Sequence, residues 1–285
     1  MTPLVEVLTR TSDYLRERGV ASPRLDAEIL IGHVLGLDRV ATYLQFDRPL
    51  TEAELAALRP LVKRRGAREP LAWITGRKEF HGQDFVVKPG VLVPRPDTET
   101  LVDAALAALG DDDPVYVADV GCGTGCIGIA LALAKPGVRV YALDRDEVAL
   151  ATTRENVERH GLKDRVAVRR ADLMSGVPAD RPIDWVLANP PYIPTGEFAD
   201  LAPEVRDHEP RGALDGGADG LDVYRRLLPE AVRRARRGVL VEVGAGQADA
   251  VAAMMPGTAL RHRDLAGIER VVGIRNMLSK PSEAP

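Results

Sequence analysis

Between Val115 and Asp144 the chain runs through a β-branched segment to Val120, then Gly121-Cys122-Gly123-Thr124-Gly125, then an apolar stretch from Cys126, then a second β-type run from Val138 to Leu143. Two short strands separated by a helix can pair side by side only in parallel, because the helix has to carry the chain back to the starting edge. The glycines at the exit of the first strand let backbone approach a ligand closely. Asp144 ends the second strand, 19 residues after Gly125, where a carboxylate accepts hydrogen bonds from both hydroxyls of a ribose. Gly123, Gly125 and Gly128 also match the loose dinucleotide fingerprint, so this unit predicts an adenosine-containing cofactor, with nicotinamide and S-adenosylmethionine both admissible.

The alternation extends on both sides of that unit. The pattern predicts a helix from about Asp97 to Leu109, strand Val115 to Val120, a helix from about Cys126 and strand Val138 to Leu143. Helix Asp146 to His160, strands Val166 to Arg170 and Ile183 to Leu187, and later strands beginning near Val239, Leu260 and Val271 follow. Such a series forms an open parallel sheet wrapped by helices on both faces, an α/β, Rossmann-like domain. Asp172 and Leu173, just past the third strand, are expected to border an adenine.

Upstream of residue 73 only helices are expected. Leu4, Val5, Leu8 and Leu15 follow helical spacing; Ser22-Pro23 opens a second helix with Leu25, Ile29, Leu30 and Val34 as its apolar stripe; a short third helix follows Asp38. Thr51 and Glu54 make a capping-box pattern before Leu55, Leu58, Leu61 and Val62. Phe80, Phe85, Val86 and Val87 flank a His81-Gly82-Gln83-Asp84 turn, a hairpin signal. The predicted organisation is therefore a small helical bundle over 1–72, which would dock the partner substrate, a β-hairpin connector over 73–95, and the α/β domain over 96–285.

Composition removes several function classes. With 38 basic against 42 acidic residues the net charge is −4, which offers no global attraction for nucleic acid, and the basic runs at Lys63-Arg64-Arg65 and Arg233 to Arg237 read as solvated helix faces. No run reaches the roughly 18 apolar residues that span a bilayer, and Met1 to Arg10 has no continuous apolar leader character, so a cytoplasmic protein without a membrane partner is expected. Cys122 and Cys126 stand four apart with no further Cys or His ligand nearby, so no metal is expected.

Asn189-Pro190-Pro191-Tyr192 narrows the chemistry. It leaves the strand ending at Ala188, hence the carboxyl edge of the sheet, where open α/β folds bind ligands. Two prolines fix successive φ angles and hold Asn189 extended. They offer no N–H, so the turn presents acceptors: the Asn189 side-chain carbonyl and the Pro190 backbone carbonyl. An –NH2 group held by both would aim its nitrogen at a methyl sulfonium, while the carbonyl dipoles stabilise the charge that grows on nitrogen. Tyr192 would pack against a flat substrate group. A nicotinamide dehydrogenase has no use for such an acceptor pair, and no nucleophilic side chain is required.

This combination resembles the S-adenosylmethionine-dependent methyltransferases with an Asn-Pro-Pro-Tyr motif. Ile74-Thr75-Gly76-Arg77-Lys78-Glu79-Phe80, Pro89 through Glu99, Glu209-Pro210-Arg211 and Ala213-Leu214-Asp215-Gly216-Gly217 are similar to the bacterial peptide chain release factor N5-glutamine methyltransferases of the HemK/PrmC type. The resemblance implies transfer of methyl from S-adenosylmethionine, leaving S-adenosylhomocysteine, to the glutamine of the Gly-Gly-Gln loop of class 1 release factors. It assigns cofactor contacts to Gly121, Cys122, Gly123, Thr124, Gly125, Asp144, Asp172, Leu173 and Asn189. The substrate clamp falls to Asn189, Pro190, Pro191 and Tyr192, of which Asn189, Pro190 and Tyr192 are the catalytic set. Relatives that carry an aromatic residue where Leu173 stands make that adenine contact a departure. Residues 206–221 are expected to form a substrate-facing loop. Glutamine methylation of a large-subunit ribosomal protein and N6-adenine methylation of DNA or RNA are the alternatives this motif admits.

Overall fold

A computed structural model describes residues 2–110 and 114–276; the last nine residues of the predicted 96–285 domain lie outside the described residues. The chain divides into two compact units: Met1–Arg77 together with Ala202–His208, and the remainder.

The first unit is helical, with α1 (Leu4–Glu17), α2 (Pro23–Leu35), α3 (Arg39–Tyr43), α4 (Glu52–Gly66) and α5 (Leu71–Thr75), plus a two-residue ladder pairing β1 (Thr2–Pro3) with β2 (Pro49–Leu50). The capping box forms at α4: Thr51 Oγ1 accepts from Glu54 N at 3.3 Å and the Glu54 carboxylate accepts from Thr51 N at 2.8 Å. Asp38 caps α3 by accepting from Ala41 N at 2.7 Å. The core gathers Leu4, Leu8, Leu15, Leu30, Ile31 and Leu50. The predicted stripe of α2 needs correction. Leu25 and Ile29 are exposed, and the buried face is Asp26, Ala27, Leu30 and Ile31. Apolar residues occupy both faces of this helix, so periodicity alone did not select the inner one.

Asp26 is buried because Arg65 is buried with it. Arg65 Nε donates to Asp26 Oδ2 at 2.7 Å and Arg65 Nη2 to Glu204 Oε1 at 2.8 Å; Arg68 Nη2 meets Glu204 Oε2 at 2.6 Å. The run Lys63-Arg64-Arg65 is thus not a solvated face throughout. Glu204 belongs to α9 (Pro203–Arg206), so a short segment from late in the sequence is built into the helical unit, which the predicted 1–72 boundary omitted.

In the second unit β3 (Arg77–Phe80), whose first residue still belongs to the helical unit, and β4 (Gln83–Val86) form the hairpin. It turns on His81 and Gly82, both at positive φ. The connector is shorter than 73–95, because Trp73 lies in α5 and Pro96–Thr98 makes a 3₁₀ turn leading into α6 (Glu99–Leu109). Then follow β5 (Val115–Val120), α7 (Cys126–Ala134), β6 (Val138–Asp144), α8 (Glu147–Arg159), β7 (Val166–Arg170), β8 (Trp185–Ala188), α10 (Asp222–Arg234), β9 (Gly238–Glu242), α11 (Ala248–Ala252), β10 (Leu260–Arg263) and β11 (Glu269–Arg275). The seven-stranded sheet has the order β10-β11-β9-β8-β5-β6-β7. β9 to β7 are parallel, while β11 runs antiparallel to both β9 and β10.

One cluster fills the face beneath α6 and α7, around Leu101, Ile127, Ile129, Val117 and Leu187; another fills the opposite face beneath α10, around Tyr224, Leu227, Val186 and Val239. Burial on both faces is why these strands read as continuous apolar runs. The basic run at the end of α10 is also engaged: Arg234 donates to the carbonyls of Val177 at 3.1 Å and Pro178 at 2.9 Å, and Arg236 to buried Asp184 at 2.9 Å. Arg234 is largely covered and departs from the solvated reading, whereas Arg233 and Arg236 remain exposed as that reading has it.

Candidate active site

The chain leaves β5 towards β6 and β7 on one side, then returns to add β8 and β9 on the other, so the direction of winding reverses between β5 and β8. In open α/β sheets that reversal leaves a crevice outside the carboxyl ends. Register sets what borders it. Val120 of β5 pairs with Leu143 of β6 and with Ala188 of β8, and Ala188 pairs with Val241 of β9. Gly121, Asp144, Asn189 and Glu242 therefore stand at one level on four adjacent strands.

The glycine turn is held by its neighbours. Gly121 N and Cys122 N both donate to the Leu143 carbonyl, at 2.8 and 2.9 Å, and Gly125 N closes on the Cys122 carbonyl at 2.7 Å. Gly123 N donates to Asp144 Oδ2 at 3.0 Å, and Asp144 Oδ1 accepts from Asp146 N at 3.0 Å, so the Asp144 carboxyl is already aimed across the turn. A Cβ at Gly121 or Gly123 would meet nothing within 4 Å, whereas one at Gly125 would lie 2.8 Å from Thr153 Cγ2. The first two glycines leave open space over the sheet edge; the third lets α7 and α8 come together. Thr124 is buried.

Burial decides the state of the groups behind this turn. Asp119 is fully buried in β5, and desolvation pushes its carboxyl up to about 7 despite the hydrogen bond that Oδ2 accepts from Gly128 N at 3.0 Å. Burial likewise raises Cys122 well above the ordinary thiol range and Cys126 to about 12, so both are neutral thiols, and Cys122 Sγ rests 3.4 Å from Thr153 Oγ1. Asp172 is exposed and salt-bridged to Arg226 at 2.6 Å, and Leu173 follows at φ +54°, half-buried beside the second core cluster.

The Asn189-Pro190-Pro191-Tyr192 turn leaves β8 at the crevice. Asn189 Nδ2 donates to Thr98 Oγ1 at 3.1 Å, which turns the amide oxygen away from Thr98. Gln247 Nε2 donates to the Tyr192 carbonyl at 2.9 Å while Gln247 Oε1 accepts from Gly244 N at 3.0 Å, so one side chain ties the turn to the segment after β9. Burial, with the Glu242 carboxyl nearby, holds the Tyr192 hydroxyl up at about 12, so the ring presents a neutral phenol.

Three segments far apart in sequence meet around this turn. Ile193 N donates to the Leu214 carbonyl at 3.0 Å and Gly216 N to the Ile193 carbonyl at 2.9 Å, a bridge that gives 209–221 a defined path. Arg95 Nη2 pairs with buried Glu209 at 2.5 Å, and Asp97 pairs with Arg270 at 2.8 Å. The Pro89–Glu99 and Glu209–Gly217 stretches thus frame the acceptor motif.

Sequence reasoning missed Thr98, Glu242 and Gln247. Glu242 did leave a signal, an acid closing the apolar run Val239-Leu240-Val241 at the carboxyl edge. Desolvation raises its carboxyl to about 7, against a lowering hydrogen bond from Thr98. Thr98 and Gln247 left none, since their partners are remote in sequence. Among the described residues no cluster of His, Cys, Asp or Glu suits a metal ion, and no helix is long and apolar enough to cross a membrane.

Residues 6–76 match the PrmC N-terminal domain family and residues 98–203 the Methyltransferase small domain family. The release factor glutamine methyltransferase of Geobacter sulfurreducens is 46% identical over 276 residues, covering 95% of both chains, and that of Rhodopirellula baltica is 38% identical, covering 95% of this chain and 96% of its own. The hMettl16 catalytic domain, solved with an RNA hairpin, shares the fold at 16% identity with a TM-score of 0.58 over 82% of this chain and 96% of its own. On identity of this extent across nearly the whole length, the chain belongs to the release factor glutamine methyltransferase family.

Proposed function

We propose that this protein transfers the methyl group of S-adenosylmethionine to the side-chain amide nitrogen, N5, of the glutamine in the Gly-Gly-Gln loop of class 1 peptide chain release factors. The observation that carries the reading is the orientation of Asn189: its NH2 group donates to Thr98, so Oδ1 points the other way as an acceptor, at the level of Gly121 and Asp144. When bound, the cofactor supplies an electrophilic methyl on a sulfonium, and S-adenosylhomocysteine leaves. The open space over Gly121 and Gly123 and the pre-aimed Asp144 carboxylate suit its nucleoside part, with Cys122, Thr124, Gly125, Asp172 and Leu173 around it.

Asn189 Oδ1 and the Pro190 carbonyl hold the two N–H groups of the glutamine amide and aim its nitrogen. As nitrogen becomes positive, the same two dipoles stabilise it. Tyr192 stacks against the amide plane and Pro191 keeps the turn rigid. The surplus proton passes to water once the nitrogen is alkylated. Incubating the protein with labelled S-adenosylmethionine and purified release factors, ribosomal protein, DNA and RNA, followed by mass mapping of the modified atom, tests this. Label on N5 of the loop glutamine is expected; label confined to ribosomal protein or to a base would refute the assignment.

A further inference from the structure

We infer that Glu242 and Thr98 are positioning residues that set the polarity of the Asn189 amide, so that Asn189 presents oxygen and not NH2 to the substrate. The inference rests on the proposed role of Asn189 as substrate acceptor and adds to it the cause of that orientation.

Asn189 and Glu242 leave adjacent parallel strands at the same level, since Ala188 pairs with Val241. Thr98 reaches this level from the 3₁₀ turn ahead of α6, with 2% of its surface exposed, and Glu242 has 1% exposed. The Thr98 hydroxyl oxygen accepts from Asn189 Nδ2 at 3.1 Å, and a hydrogen bond from Thr98 lowers the Glu242 carboxyl against the burial that raises it. A hydroxyl carries one proton, and the Glu242 carboxyl, raised by burial to about 7, is a pure acceptor towards Thr98 in its ionised form. The proton of Thr98 therefore goes to Glu242, its lone pair is left for Asn189, and Asn189 must turn its NH2 inward. Without the acceptor at 242 the hydroxyl is free to rotate and donate to Asn189 Oδ1. The amide would then flip and point two donors at a substrate group that itself brings two donors.

The surroundings favour this reading over a stabilising ion pair. The nearby cations are committed elsewhere, Arg95 to Glu209 and Arg270 to Asp97 and Asp264. Tyr224 donates to the Glu242 main-chain carbonyl at 2.7 Å, not to its carboxyl. Oε2 has no partner among the described residues. A buried carboxyl without a cation costs stability. Its place at the end of an apolar strand is accounted for by what it does to Thr98.

The test uses the full chain with S-adenosylmethionine and intact release factor. Thr98→Val and Glu242→Leu are each expected to lower kcat about tenfold or more, the scale of a lost charge-assisted contact, with cofactor affinity within about twofold of wild type. Thr98→Ser and Glu242→Gln keep the hydroxyl and an acceptor oxygen, and should restore kcat to within about threefold. Because both act through one amide, the Thr98→Val/Glu242→Leu double variant should lose no more than the worse single one. Wild-type kcat in either single variant, or a double loss equal to the product of the single losses, would overturn the inference. Hydrogen exchange of the Asn189 side-chain amide, read by NMR without substrate, should be slow in wild type and Thr98→Ser and faster in Thr98→Val. Equal exchange in all three would also overturn it. Should the wild type fail to methylate release factor, the proposed function falls, and the amide exchange still decides the orientation.

Discussion

Asp144 shows how far a single residue could be read and where reading stopped. Its position after a strand and a glycine turn gave the expectation of a ribose acid; in the structure its two oxygens accept from the backbone N–H groups of Gly123 and Asp146. Asp144→Ala removes an ionised acceptor and loosens the turn. Cofactor affinity measured by calorimetry should fall about tenfold to a hundredfold, as for loss of a hydrogen bond to a charged group; unchanged affinity would remove Asp144 from the cofactor site. Asn189 was legible for a similar reason, since two following prolines restrict it locally. Thr98 was not, because its importance lies in an amide 91 positions away.

At the scale of elements, legibility depended on whether one face of each segment differs from the other. The capping box of α4 forms as read from Thr51 and Glu54. In helix α2, apolar on both sides, Leu25 and Ile29 were read as inward though they are exposed, while Leu30 is buried as read; the buried Arg65 was taken for a surface charge because its partners, Asp26 and Glu204, come from distant segments. The Arg65 and Arg68 guanidiniums hold the Glu204 carboxyl down to about 2, overcoming its partial burial, against an ordinary value of 4.5. A folded-state pKa below the unfolded one contributes stability at neutral pH that disappears as pH falls from about 4.5 towards 2. Glu204→Gln should therefore cost about 2 kcal/mol in denaturant unfolding at pH 7, and that difference should shrink between pH 5 and pH 3. A pH-independent difference would mean that lost packing, not charge, is responsible.

The loop over 209–221 makes a second case. Gly220 has φ +76°, and a Cβ there would lie 2.3 Å from the Tyr192 carbonyl oxygen and 2.5 Å from Gln247 Nε2. Gly220→Ala is expected to displace Tyr192, lowering kcat about tenfold and stability by about 1–3 kcal/mol. Thermal melts alongside turnover measurements check both effects, and a wild-type rate would show that Tyr192 is not held through this contact.

At the scale of the whole molecule, the strand and helix alternation was sufficient to foresee the parallel run from β9 to β7, whose central strands are buried on both faces, but not that β11 runs antiparallel to β9 and β10. The order of strands, and with it the crevice between β5 and β8, was not contained in any local pattern. It is that order which brings the Gly121–Gly125 turn, Asp144 and the Asn189–Tyr192 turn to one level. The Asn189–Tyr192 turn is expected to act on the transition state and not on cofactor binding. Single-turnover transfer to intact release factor by Asn189→Ala, with cofactor affinity measured on the same sample, tests it most directly. A rate lower by about a hundredfold or more with near-normal cofactor affinity is expected; a near-normal rate, or a loss explained entirely by weakened cofactor binding, would rule out a transition-state role for Asn189.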